Sequence, residues 1–116
     1  MGIQRLHVGH RLSEVAIFNK VIYLAGQIPE DVSQGITGQT REVLGHVDRL
    51  LAEAGSDKKH ILSCQIFLSD ISLINEMNQV WDVWVAPENS PPRATVEAKL
   101  ANPEWLIEIV VTAAQI

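Results

Sequence analysis

The stretch from Leu106 to Ala114 constrains this chain more than any other. Read with the two-residue period of a strand, Ile107, Ile109, Val111 and Ala113 share one face. Leu106, Glu108, Val110 and Thr112 share the other. Both faces are apolar except at Glu108 and Thr112, which places such a strand in the middle of a sheet with cover on both sides. The rest of the chain has to supply that cover, or a partner does.

Val15 to Phe18 and Val21 to Leu24 are short β-rich runs joined at Asn19-Lys20. Asn tolerates the left-handed backbone of a tight turn, so the two runs predict a hairpin. Gly26-Gln27-Ile28-Pro29 ends the second strand, and a polar loop continues through Gly35. From about Thr37 the period lengthens: Val43, Leu44, Val47, Leu50, Leu51 and Ala54 form one helical face, with Gly55 at the capping position. Ile61 to Leu68 returns to strand period, with Leu62, Cys64, Ile66 and Leu68 on its apolar face. Asp70 or Ser72 can cap a second helix, which buries Ile74, Met77, Trp81, Trp84 and Val85 and stops at Pro87. A stiff loop through Pro91-Pro92 leads to a strand from Arg93 to about Lys99, and Asn102-Pro103 turns the chain into the last strand. The order is ββ-α-β-α-ββ. Two helices can cover one face of the sheet, and the uncovered face calls for a subunit partner.

The length of 116 residues predicts one domain, 1–116, with an ordinary globular composition of 47% apolar and 20% charged residues. The formal charge of −5 offers no basic field for nucleic acid or an anionic membrane. One cysteine, Cys64, cannot form an internal disulfide, and the N-terminal residues carry no apolar run for a signal or a span. A cytoplasmic protein is expected.

Two charges stand where a plain core has none. Arg93 opens a strand directly after Pro91-Pro92, which hold its backbone rigid, and its planar fork of donors matches a carboxylate. Glu108 interrupts the apolar last strand. An ionised carboxylate there is costly without a partner, so it reads either as a structural ion pair, as a solvent-facing strand end, or as an acid/base governed by burial. Arg93 alone reads equally as a surface arginine. Together the two suggest a small-anion site. Glu97 and Lys99 share the strand face of Arg93 and Thr95 and are assigned no chemistry. His7, His10, His46 and His60 complete no metal-ligand spacing, so no metal is expected. Cys64 belongs to an apolar strand face and reads as core rather than nucleophile. Trp81 and Trp84 read first as core or interface anchors.

Pro91-Pro92-Arg93-Ala94-Thr95-Val96, Lys99-Leu100-Ala101 and Ile107-Glu108-Ile109 together resemble the signature of the RidA (YjgF/UK114) family of imine and enamine deaminases. The resemblance extends to Ala25-Gly26-Gln27-Ile28-Pro29, Ala54-Gly55 and Met77-Asn78-Gln79-Val80-Trp81, so it runs colinearly over nearly the whole chain. Within the family the chain looks most like the bacterial YoaB-like subgroup.

The resemblance implies a chorismate-mutase-like α+β fold. Its mixed sheet carries two helices on one face and assembles into a trimeric barrel with active sites between subunits. It implies that Arg93 grips a substrate carboxylate and Glu108 positions the attacking water. Asn78, Gly26 and the backbone at Thr95 would line the pocket. The reaction implied is hydrolysis of a 2-imino or 2-enamino acid to a 2-keto acid and ammonia, with no cofactor. The chain also departs from the family pattern. Leu12 stands where well-studied members place a tyrosine, Ala25 replaces a serine, and Thr95 replaces a cysteine. These changes leave room for a second expectation, a non-catalytic trimer that binds small carboxylates such as 2-keto acids. A third label attached to the family, endoribonuclease, fits poorly with an acidic chain that lacks Lys/Arg clusters interleaved with aromatics.

Overall fold

The computed structural model describes residues 2–116, so Met1 of the expected 1–116 span lies outside the described residues. Six strands and two helices follow the order β1 (Gln4–Val8), β2 (Ser13–Phe18), β3 (Val21–Leu24), α1 (Ile36–Glu53), β4 (Ile61–Leu68), α2 (Ile74–Trp84), β5 (Arg93–Glu97), β6 (Ile107–Ala114). Short 3-10 turns precede β4 and α2. The strands form one sheet in the order β1-β2-β3-β6-β4-β5. Only β4 and β5 pair in parallel, joined by the α2 crossover that parallel strands require. The fold is α+β with a mixed sheet, as expected.

The β2–β3 hairpin closes as expected. Asn19 and Lys20 both adopt left-handed backbone, φ 52° and 62°, and Phe18 pairs with Val21 across them. That two-residue geometry matches the twist of the flanking strands. The first helix ends at Gly55, whose φ of 83° suits glycine. Asp70 caps the turn ahead of α2 by accepting the Ser72 amide at 2.9 Å.

Three local expectations need correction. β1 goes beyond the expected elements: its alternation is confined to Arg5-Leu6-His7-Val8, and Leu6 is its only half-buried residue. It forms by pairing with β2, Leu6 opposite Val15. The strand after the double proline ends at Glu97 rather than Lys99. Leu62 is exposed, not on the buried face of β4, because the β4–β6 register shifts between Ile61 and Ser63.

Both helices pack on one face of the sheet. Val43, Leu44, Val47, Leu50 and Leu51 of α1 and Met77 and Trp81 of α2 meet Val15, Ile22, Ile66, Leu68, Ile107, Ile109 and Val111 in one core. β6 is central, but within one protomer only its Ile107, Ile109, Val111 and Ala113 face is fully buried. The opposite face keeps Phe18, Tyr23 and Val96 exposed, Tyr23 at 51%. A thickness of 20 Å against 44 × 37 Å fits a sheet with a single layer of helices.

Candidate functional site

Strand register decides where the two singular charges go. Arg93 pairs with Cys64 and Thr95 with Ile66, so both belong to the face that packs on the helices. Glu108 pairs with Phe67, one residue out of phase with the buried Ile66–Ile109 pair, and so belongs to the opposite face. Arg93 and Glu108 of one chain therefore lie on different sides of the sheet. The small-anion pairing inferred from sequence does not form within a single protomer.

On the helix side, the Arg93 guanidinium carbon sits 5.0 Å from the centroid of the Trp81 ring. Among the described residues it has no carboxylate within ion-pair distance. The cation thus lies over an aromatic ring with no protein carboxylate paired to it, an arrangement suited to an incoming carboxylate. Thr95 follows two residues along the same strand face, and Asn78 lies three residues before Trp81 on the same side of α2. Thr95 Oγ1 and Asn78 Oδ1 are both buried without a hydrogen-bond partner. Glu97, at the end of β5, accepts the Ile71 amide at 3.0 Å and fastens the turn before α2.

On the open side, Glu108 packs against Gly26. A Cβ added to Gly26 would lie 2.0 Å from Glu108 Oε2 and 2.9 Å from its carboxyl carbon, so glycine is what leaves room for the carboxylate. The Ala25-Gly26 segment is a bulge. Tyr23 pairs with Thr112 and Gln27 with Ile109, four steps on one strand against three on the other. Gln27 holds this bulge: its amide donates to Ile109 O at 2.8 Å, and its buried side chain donates to Ala25 O at 3.0 Å. Leu12 lies in the β1–β2 turn, closed by the Gly9 amide on Leu12 O, and is 59% exposed.

Cys64, beneath Arg93, is buried, and burial pushes its thiol up to about 12 against the opposing pull of the Arg93 charge. It is a core residue and not a nucleophile at neutral pH. A hollow of about 370 Å³ opens beside Ser63, Gln65, Pro92, Arg93, Ala94 and Val110. Another of about 440 Å³ runs between the helices past Arg41, Asp48 and Trp84, and neither Arg93 nor Glu108 lines it.

Two side chains that sequence reasoning passed over matter here. Gln39 is fully buried, yet its side chain donates to Gln34 O and Glu104 O and accepts from the Leu106 amide at 2.8 Å. It fixes the loop that delivers β6 and Glu108. Its helical position beside the apolar face was the available signal. Glu30, Glu42 and His46 bring ligand atoms within 4.8 Å of one another. Glu42 already accepts the amides of Glu30 and Asp31, which makes it an anchor for the loop before α1.

Comparison with known proteins identifies the family and the fold. The profile of the family described as Endoribonuclease L-PSP matches residues 2–115. A RutC family protein of Haemophilus ducreyi is 50% identical over 97% of this chain and 96% of that protein. The chain belongs to the RutC/YjgF (RidA) family. RutC family protein YoaB of Escherichia coli is 39% identical over 98% of this chain and 99% of its own length, in line with the expected subgroup. A crystal structure of a YjgF family member from Neisseria meningitidis superposes with a TM-score of 0.95 at 46% identity, covering 100% of this chain and 97% of that one. More distantly, a protein of Acinetobacter baylyi named 3-aminoacrylate deaminase RutC is 32% identical over 82% of this chain and 79% of that protein.

Proposed function

We propose that this chain is a homotrimeric deaminase that hydrolyses 2-imino or 2-enamino acids to 2-keto acids and ammonia. The observation that carries the proposal is the Arg93 guanidinium, which lies over the Trp81 ring with no protein carboxylate within ion-pair distance among the described residues. The relative named 3-aminoacrylate deaminase supports deamination of a small enamine carboxylate as the reaction type, although its named substrate carries the amine at C3 and not at C2. Arg93 binds the substrate carboxylate bidentately. Glu108, on the open sheet face, comes from the neighbouring protomer and completes the site.

Hydrolysis then proceeds from the imine, whose carbon is already electrophilic; an enamino acid reaches it by tautomerisation, losing an N–H proton and gaining one at carbon. Glu108 accepts a proton from water as the oxygen bonds to the imine carbon, and returns it to the nitrogen. The carbinolamine so formed then gives its hydroxyl proton, by way of Glu108, to the nitrogen as the C–N bond breaks, so the carbonyl forms and ammonia leaves. Holding water and carboxylate in one orientation supplies the rate through proximity. The uncovered sheet face around Tyr23, Phe18 and Val96 supports self-association.

The test is ammonia or keto-acid release from freshly generated imines. Turnover should exceed the spontaneous rate. Arg93→Ala should raise KM about 10- to 100-fold, the equivalent of one charged hydrogen-bonding partner. No acceleration over the spontaneous rate rejects the proposal. The alternative, a non-catalytic carboxylate-binding trimer, is favoured by Leu12 and Ala25, which remove hydroxyls from the expected pocket. Stabilisation by 2-keto acids without turnover would select it.

A further inference from the structure

We infer that Trp81 is the positioning residue of the anion site: it holds the Arg93 guanidinium over its ring, and so sets the affinity for carboxylates. The inference rests on the reading of Arg93 as the carboxylate anchor and adds the element that aims it.

An arginine at the start of an edge strand has several freely rotating bonds, and without a fixed surface its fork samples many directions. Here the surface is supplied. Trp81 is only 6% exposed, and the guanidinium carbon lies 5.0 Å over its ring. Trp81 is itself wedged. Its ring stands 5.3 Å from that of Trp84 at 50°, and the Trp84 indole N–H donates to Asp48 Oδ2 on α1 at 2.9 Å. Lys58 Nζ lies 5.3 Å from the centroid of the Trp84 ring. A chain of contacts thus runs from α1 through two indoles to the arginine. The contact holds the guanidinium over the ring, and no protein carboxylate among the described residues lies within ion-pair distance of it, so the arginine is held without a competing anion. An acidic partner would have fixed the arginine equally well, but it would have filled the anion site.

The consequence is a split in kinetic effects. Trp81 touches no reacting atom, so its loss should act through ligand affinity. Calorimetric titration of the assembled protein with pyruvate, which keeps the carboxylate and needs no turnover, reads this directly. Trp81→Leu should weaken pyruvate binding about tenfold, with Trp81→Phe in between, because the indole is the strongest of the aromatic faces for a cation. With imine substrates the same changes should raise KM by a similar factor and leave kcat within about twofold.

A purely structural tryptophan predicts a different pattern: a lowered Tm with unchanged pyruvate affinity in the folded fraction. That result overturns the inference. If Trp81→Leu fails to fold, Trp81→Phe decides, and a Kd equal to that of the wild type overturns it. Wild-type protein that shows no Arg93-dependent pyruvate binding overturns it together with the anchor. Arg93- and Trp81-dependent pyruvate binding without imine turnover upholds the inference while rejecting the deaminase reading.

Discussion

Glu108 occupies its position because residue 26 has no side chain. The carboxylate fills the space where a Cβ would stand, and backbone on both sides of Gly26 is fastened, by Ala25 N to Glu14 O and by Gln27 N to Ile109 O. Gly26→Ala therefore displaces the Glu108 carboxylate and leaves the sheet in register. Deaminase kcat should fall at least tenfold, in the range general acid–base groups supply, with Tm nearly unchanged. Equal kcat in the variant would show that the carboxylate is not held for chemistry. Leu12 and Ala25 shape a second prediction. Neither can hydrogen-bond a polar substrate group, and an unpaired buried group costs about 1–3 kcal/mol. Imines made from leucine and methionine by an amino-acid oxidase should therefore be turned over in preference to the serine-derived imine. A preference for serine would remove Leu12 from the pocket. At this scale the sequence was informative about residue type and silent about direction. Arg93 and Glu108 stood out as charges in strand patterns, but which face each takes depends on pairing partners far away in the chain.

Elements were legible wherever burial imposes a period. α1, α2, β4 and β6 follow from their apolar spacing, and the Asn19-Lys20 turn from its backbone chemistry. β1 shows only a four-residue alternation, since it is an edge strand held mainly by its ladder to β2, with Leu6 alone packed against the core. The misplacing of Leu62 has a similar origin: a register shift is a property of two strands, and one strand read alone cannot show it. Gln39 joins elements that the sequence keeps apart, clamping the segment before β6 to α1 through Glu104 O and the Leu106 amide. Replacing it with Ala strands buried backbone groups at about 1–3 kcal/mol each. Gln39→Ala should therefore lower unfolding free energy by roughly 2–4 kcal/mol in urea titrations. A loss below about 0.5 kcal/mol, the level of a surface change, would mean that water replaces the clamp.

For the whole molecule, one sheet face is packed and the other is not. The apolar pattern of β6 called for two covers, and one protomer supplies one. A second copy can answer that deficit and the separation of Arg93 from Glu108 at once. If neighbouring open faces pack together, dilution into the nanomolar range should lower Tm, since assembly and folding are then linked. A concentration-independent Tm with a monomeric mass in sedimentation would contradict the assembly.

The shared site itself is tested by mixing. Assayed at substrate concentrations well below KM, Arg93→Ala and Glu108→Gln proteins are each expected to keep at most about a tenth of wild-type activity alone. Unfolded together in equal amounts and refolded, they form trimers in which about one interface in four joins an intact Arg93 to an intact Glu108 from different chains. Recovery of about a quarter of wild-type activity is the predicted result. Mixed trimers, verified by mass, that stay as inactive as either parent would show that the two residues do not meet between protomers.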